Sequence, residues 1–144
     1  MIDIEPARAS DPALKALLEG AGLPTDDLEE AGRTFFLAVA NGKPCGAGGL
    51  ETAGDDILLR SVAVDPDCRG QGLGRRIAQD VLERARRGGA ARAYLLTTSA
   101  APFFESLGFC RIDRAVAPEA ILRTRQAASL CPASAILMVK ELAS

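Results

Sequence analysis

Apolar and polar residues follow one another in short runs along this chain, and the repeat changes from two residues to nearly four and back. Ile2 and Ile4 stand between polar neighbours, which predicts a short first strand. Ser10 or Asp11 can cap a helix with Pro12 at its first position, and Leu14, Leu17 and Leu18 then repeat at helical spacing. Pro24 to Gly32 is polar, with Leu28 as its main apolar residue, and reads as a second short helix or an ordered loop. Thr34 to Ala40 predicts a strand, Asn41-Gly42 a two-residue hairpin turn because both positions tolerate positive φ, and Pro44 to Glu51 the returning strand. Gly46, Gly48 and Gly49 weaken that last strand, yet they also permit close approach of another backbone.

After a loop from Thr52 to Asp55, the apolar run Ile57 to Val64 predicts the central strand. Leu73, Ile77, Ala78, Val81, Leu82 and Ala85 share one face of the next helix, with Arg76, Asp80, Glu83, Arg84 and Arg87 on the other, until Gly88-Gly89 ends it. Tyr94 to Leu96 predicts a buried strand, which a right-handed crossover sets parallel to the Ile57 strand. A short helix at Pro102 to Leu107 stopped by Gly108, a strand at Phe109 to Ile112, a helix around Glu119 to Ala128 and a strand from Ala133 to Glu141 complete the order.

With 144 residues, 48% of them hydrophobic, the chain can bury one core and is too short for two ordinary domains, so a single domain over 1–144 is expected. The net charge of -2 conceals an uneven layout, with Arg clustered from Arg69 to Arg87 and acids dominant before Arg33. An acidic balance with one Tyr and no Trp argues against a nucleic-acid partner. No apolar run reaches the ~18 residues of a membrane span, and no leader pattern precedes Asp3, so a cytoplasmic protein with no membrane partner is expected. Cys45, Cys68, Cys110 and Cys131 form no C-x-x-C pair, which points to reduced thiols rather than a soft-metal or arsenic site. Histidine is absent, which excludes His-based nucleophilic triads and His-ligated metals.

The segment LLRSVAVDPDCRGQGLGRR, Leu58 to Arg76, carries the most specific chemistry. Arg69, Gly70, Gln71, Gly72, Gly74 and Arg75 make an R-x-x-G-x-G loop before a helix, where absent side chains let backbone N–H groups converge on an anion. The helix dipole adds roughly half a positive charge. With Arg69, Arg75 and Arg76 nearby, the loop suits a pyrophosphate carried by something long enough to run back along the strand. A Walker loop is excluded because no Lys-Ser or Lys-Thr follows, and a dinucleotide fingerprint because Arg75 stands where its third Gly belongs.

Two words, VAVDPDCRGQGLG from Val62 and APFFESLGF from Ala101, stand in that order with a crossover strand between them. On them the chain resembles the Gcn5-related N-acetyltransferase (GNAT) superfamily over most of its length. LLTTSAAPFFESLGF and LCPASAILMVKEL are similar to the acetyltransferase domain of N-acetylglutamate synthases. Together with AGLPTDDL, GLE and LLRSVAV, they resemble more closely the small acetyltransferases encoded with bacterial arsenic-resistance genes. The resemblance implies an α/β (α+β) fold, a mixed central sheet of six to seven strands with helices on both faces. It implies acetyl-CoA as co-substrate without a metal, the pantetheine arm on main-chain groups of Val62 and Val64, and the diphosphate on Arg69 to Arg75. A backbone N–H near Val62 would stabilise the oxyanion of the tetrahedral intermediate. The implied reaction moves an acetyl group to the amine of a small molecule, an amino acid or amino-acid-like compound, in a ternary complex. A non-catalytic acyl-CoA binding or sensing module is the alternative, and superfamily members often pair as homodimers near the end of the chain.

Two departures narrow the mechanism. Phe104 occupies the position where many members carry a Tyr that protonates the departing thiolate, and Leu58 the position of a Glu that deprotonates the amine through water. Glu51 is the remaining candidate base, with a solvated strand rim as its plain alternative. For the acceptor, Arg60, Ser61, Thr97, Thr98, Ser99 and Ser134 lie on or beside the strands expected to line the pocket, and Pro24 to Gly32 borders its opening. Arg60, a charge inside an apolar run, is the candidate clamp for a substrate carboxylate, with Arg33 second. The arginine that binds glutamate in the synthases aligns with Pro132, which argues against glutamate itself.

Overall fold

The computed structural model describes residues 2–131 and 134–142. Its sheet has seven strands: β1 (Ile2–Ala7), β2 (Arg33–Ala40), β3 (Lys43–Ala53), β4 (Asp56–Val64), β5 (Arg92–Thr97), β6 (Cys110–Ile112) and β7 (Ile136–Glu141). They lie in the order β1-β2-β3-β4-β5-β7-β6. Neighbours are antiparallel except β4 and β5, which run parallel. Helix α1 (Pro12–Gly20) is capped by Asp11, whose side chain accepts from the Ala13 N–H at 2.9 Å. Asn41 and Gly42, at φ 53° and 77°, make the expected hairpin turn between β2 and β3.

Helices cover both faces, as the resemblance implies. Helix α2 (Leu73–Arg87) buries all six apolar residues of its predicted stripe against Phe36, Ala38, Ile57, Leu59, Ala93 and Leu95. Helix α3 (Ala101–Ser106) adds Phe104 to the same layer. On the opposite face Leu14 and Leu18 of α1 pack on Phe35, Leu37, Ala47 and Ala63. The glycines of β3 are a packing requirement. A Cβ on Gly48 would lie 2.6 Å from Ile77, and one on Gly46 would meet Ile77 at 2.6 Å and the Ala63 carbonyl at 2.9 Å. They let α2 sit directly on the strand.

Two features of β4 shape the cleft beside it. Its pairing with β5 is confined to Ile57–Ala93 and Leu58–Tyr94, after which the strands diverge. It also carries a bulge: Ala47 opposes Ala63 and Gly49 opposes Arg60, so Ser61 and Val62 together face Gly48. Ser61 takes φ 60° there. The extra residue shifts the alternation by one, so that Leu59, Val62 and Val64 all pack toward α2.

The remaining differences from expectation are local. Pro24 to Gly32 is a turn-rich ordered loop without a regular helix. The predicted helix from Glu119 to Ala128 is broken into α4 (Glu119–Leu122) and a separate single turn, Gln126–Leu130. Thr124 explains the break, because its hydroxyl donates to the Ile121 carbonyl at 2.7 Å and accepts from the Ala127 N–H at 3.3 Å, competing with the helical ladder. The last strand begins at Ile136; Pro132 and Ala133 lie outside the described residues.

Candidate active site

Divergence of β4 from β5 opens a cavity of about 380 Å³. Arg60, Ser61 and Val62 of β4 line it together with Leu96 and Thr97 of β5, Thr98 to Ala100, and Phe103 and Phe104 of α3. The remaining wall comes from Ala21 to Pro24, Leu59, Leu95, Gln126 and Cys131. Backbone groups on the β5 side of β4 beyond Leu58 have no strand partner, so a ligand amide chain can complete their hydrogen bonding. Phe104 stands at the position where the resemblance implies a Tyr hydroxyl in many members, and its ring packs edge-on against Phe103 and Phe109, 5.0 and 5.9 Å between centroids.

The glycine loop continues from the end of β4. Asp65 accepts from the Asp67 N–H at 2.9 Å and starts a single tight turn, Pro66–Cys68. Gly70 and Gly72 then take φ 83° and 74°, conformations that a side chain would disfavour even though the space around both is open. Gly72 begins α2 with no side-chain cap, and the first N–H of the helix to find a backbone acceptor is that of Arg76, on Gly72 at 3.1 Å. Among the described residues the helix amides before it have no hydrogen-bond partner, which is the arrangement an anion needs. Of the three loop arginines, Arg75 bonds the Ser106 hydroxyl at 3.2 Å and carbonyl at 3.4 Å, and Arg76 the Ile2 carbonyl at 2.9 Å. Among the described residues no side-chain partner is found for Arg69, which is exposed. Val64 packs beside Gly74 at the root of the loop.

Charges at the other end of the cavity are arranged differently from the sequence expectation. Arg60 is buried, its side chain 1% exposed, and its fork is filled by Asp27: Nη1 to Oδ2 at 2.6 Å and Nη2 to Oδ1 at 2.7 Å. Nη1 also reaches Glu51 at 3.2 Å, and Nε donates to the Ser61 hydroxyl at 3.1 Å. Arg33 closes the group, bonding Asp27 at 3.0 Å and lying 3.5 Å from the second oxygen of Glu51. The bidentate face that the sequence offers to a substrate carboxylate is therefore already on a protein carboxylate. Glu51 is a buried member of this set and not a solvated rim residue. Burial alone would raise the Asp27 carboxyl, but hydrogen bonds and charge from Arg60, then Arg33, outweigh it and hold the group below its usual range.

Thr97 lines the cavity, but its hydroxyl accepts from the Ala100 N–H at 3.0 Å. Thr98 and Ser99 are exposed at the mouth. Ser134 is exposed before β7 and is not part of the wall. Sequence reasoning passed over Asp27 and Gln126. A signal for Asp27 existed, since an arginine inside an apolar strand demands a buried acid, yet AGLPTDDLEE offers four. Gln126 accepts from the Cys131 thiol at 3.2 Å, and burial pushes that thiol up, with the charge of Arg60 working against it.

Known proteins share this architecture. The sequence profile of the Acetyltransferase (GNAT) domain matches residues 31–111. The ribosomal protein bS18 alanine N-acetyltransferase of Escherichia coli is 32% identical over 78 residues, 51% of this chain and 53% of that protein. The chain spans just over half the length of the curated relatives it matches. A Mycobacterium tuberculosis protein crystallised with CoA superposes with a TM-score of 0.79 at 27% identity, covering 96% of this chain and 98% of that one. N-acetylglutamate synthase of Neisseria gonorrhoeae, crystallised with coenzyme A and N-acetyl-glutamate, superposes with a TM-score of 0.80 at 21% identity over 100% of this chain and 36% of its own.

Proposed function

Because the chain belongs to the GNAT acetyltransferases, a family of acetyl-CoA-dependent acyltransferases, we propose that it transfers the acetyl group of acetyl-CoA to the amine of a small amino acid or amino-acid-like compound. The supporting observation is the divergence of β4 from β5 with the open glycine loop at its end. In this reading the diphosphate binds the amides from Gly70 to Arg75 with Arg69 alongside, and Gln71 contributes through its backbone. The pantetheine arm runs along Val64 and Val62 and presents the thioester to the cavity. The amine attacks the carbonyl, a main-chain N–H at the Ser61–Val62 bulge holds the oxyanion, and the CoA thiolate departs as the tetrahedral centre collapses. Phe104 supplies no proton, so the thiolate leaves without a dedicated side-chain acid. Glu51, one contact behind Arg60, is assigned the amine's proton, taken through water.

Since Asp27 occupies the fork of Arg60 and Arg60 in turn engages the Ser61 hydroxyl, recognition of the acceptor falls to Thr98, Ser99 and Gln126 around the cavity. Thr97 has a supporting place in the wall, whereas Ser134 lies outside it and is given no part in this reading. The likeness to acetyltransferases encoded with arsenic-resistance genes supports an amino-acid-like toxicant as one member of the acceptor class. Four cysteines without a pairing motif support a reducing, cytoplasmic setting, and the edge strand β6 offers a surface for a homodimer. No helix among the described residues is long and apolar enough to cross a membrane. Mixing the protein and acetyl-CoA with panels of amino acids, plain amines and peptides, and following free thiol, tests the reading. Release with α-amino acids is expected. Binding of acetyl-CoA without release from any amine would instead favour a sensing module, and release with peptides alone would move the acceptor to protein N-termini.

A further inference from the structure

The buried ion network extends to the bulge of β4. Among the described residues two that are not glycine have positive φ; Asn41 sits in a hairpin turn that favours it, but Ser61 sits inside a strand. A left-handed serine in a strand is strained and persists where its surroundings hold it. Here the restraint is a relay. Asp27, fully buried, grips Arg60 with both oxygens; Glu51 contacts Nη1 at 3.2 Å; the Phe35 ring lies 5.6 Å from the guanidinium carbon; and Nε donates to the Ser61 hydroxyl at 3.1 Å. An arginine fixed by two carboxylates and a ring has no freedom to release that hydroxyl.

We propose that Asp27 is a positioning residue for the acyl-transfer step, acting through Arg60 and Ser61 to hold the β4 bulge so that its N–H meets the thioester carbonyl. The inference rests on the proposed function and adds to it a residue that lies in the loop between α1 and β2, remote from both sequence words. It also gives the buried arginine a purpose other than gripping a substrate.

Two variants cut the relay at opposite ends: Asp27→Asn at its root, and Ser61→Ala at the bulge with all four charges left in place. The readouts are kcat and KM for acetyl-CoA, the infrared carbonyl band of bound ¹³C-acetyl-CoA, and amide exchange at Ser61 and Val62 in the ligand-free protein. A displacement of about an ångström at an oxyanion donor lowers rates by up to about 100-fold, so kcat is expected to fall about 10- to 100-fold while KM stays within about twofold. The carbonyl band should move back toward its value in free acetyl-CoA, and exchange at Val62 should quicken. If Asp27→Asn does not fold, Ser61→Ala decides alone. Wild-type kcat and carbonyl band in Ser61→Ala, or kcat falling only in step with rising KM, would overturn the inference and leave the functional reading standing. A wild-type protein that binds acetyl-CoA but releases no thiol would sink the functional reading instead, and the carbonyl band would then judge the inference.

Discussion

At the loop end of the cleft the backbone is left open, with Gly70 and Gly72 in left-handed conformations, no side-chain cap on α2, and Arg69 exposed. At the other end Asp27, Glu51, Arg33 and Arg60 are packed into one another beneath the surface, each charge facing an opposite one. The loop keeps unsatisfied groups for a ligand that brings its own charge. The network satisfies its groups internally, so beyond the proton proposed for Glu51 what it can give to function is rigidity. Substitutions should therefore act on affinity at the first end and on stability and rate at the second.

The largest effect is expected at Asp27. Removing one member of a buried ion pair leaves an uncompensated charge, and Asp27→Ala should lower stability by about 3–5 kcal/mol in urea unfolding. The linkage to pH comes from the depressed carboxyl. Its stabilisation is complete above the ordinary value of 3.8 and drains away as the pH falls through the lower value of the folded state. Asp27→Asn should flatten that acid limb. An unchanged limb would mean that the network holds less than its geometry suggests.

Next comes Gly46→Ala, which places a methyl 2.6 Å from Ile77 and 2.9 Å from a carbonyl that belongs to the backbone and yields little. Overpacking of this kind costs about 1–3 kcal/mol, and thermal melts should show it without any change in the loop. Arg69→Ala sharpens the contrast from the opposite side. Stability should stay within about 0.5 kcal/mol, while calorimetry should find acetyl-CoA bound about tenfold more weakly, with a shallower dependence on salt.

The same contrast explains what could be read from the letters. The loop was legible because its chemistry is contiguous: one short segment contains the glycines, the arginine and the helix start. The hairpin at Asn41-Gly42 and the apolar stripe of α2 were legible for the same reason, being local patterns with one stable outcome. The network was not, because it joins residue 27 to residue 60 and residue 33 to residue 51 across a loop and three strands, and pairing of charges leaves no periodic trace. Arg60 stands out in the letters but its partner does not, since a substrate carboxylate and a protein carboxylate make the same demand on a guanidinium. The broken helix near Thr124 was missed because its side-chain bonds compete with a ladder that propensity alone favours.

Thr97 tests how far the contrast extends along the cleft wall, and its effect should be the smallest. Its hydroxyl accepts from the Ala100 N–H at 3.0 Å, just before α3, whose first turn has no other side-chain cap. Replacing it with valine keeps the shape and leaves that N–H without its partner, so Thr97→Val should cost about 1 kcal/mol in urea unfolding. Thr97→Ser returns an acceptor at the same distance from the backbone and should restore most of the loss. Acetyl-CoA affinity should not move in either variant, because the amides proposed to hold the diphosphate belong to the loop and not to this turn. A loss that serine fails to repair would mean that the methyl group's packing, and not the hydroxyl, holds the turn, and the wall at β5 would then be apolar in origin like the face beneath α2.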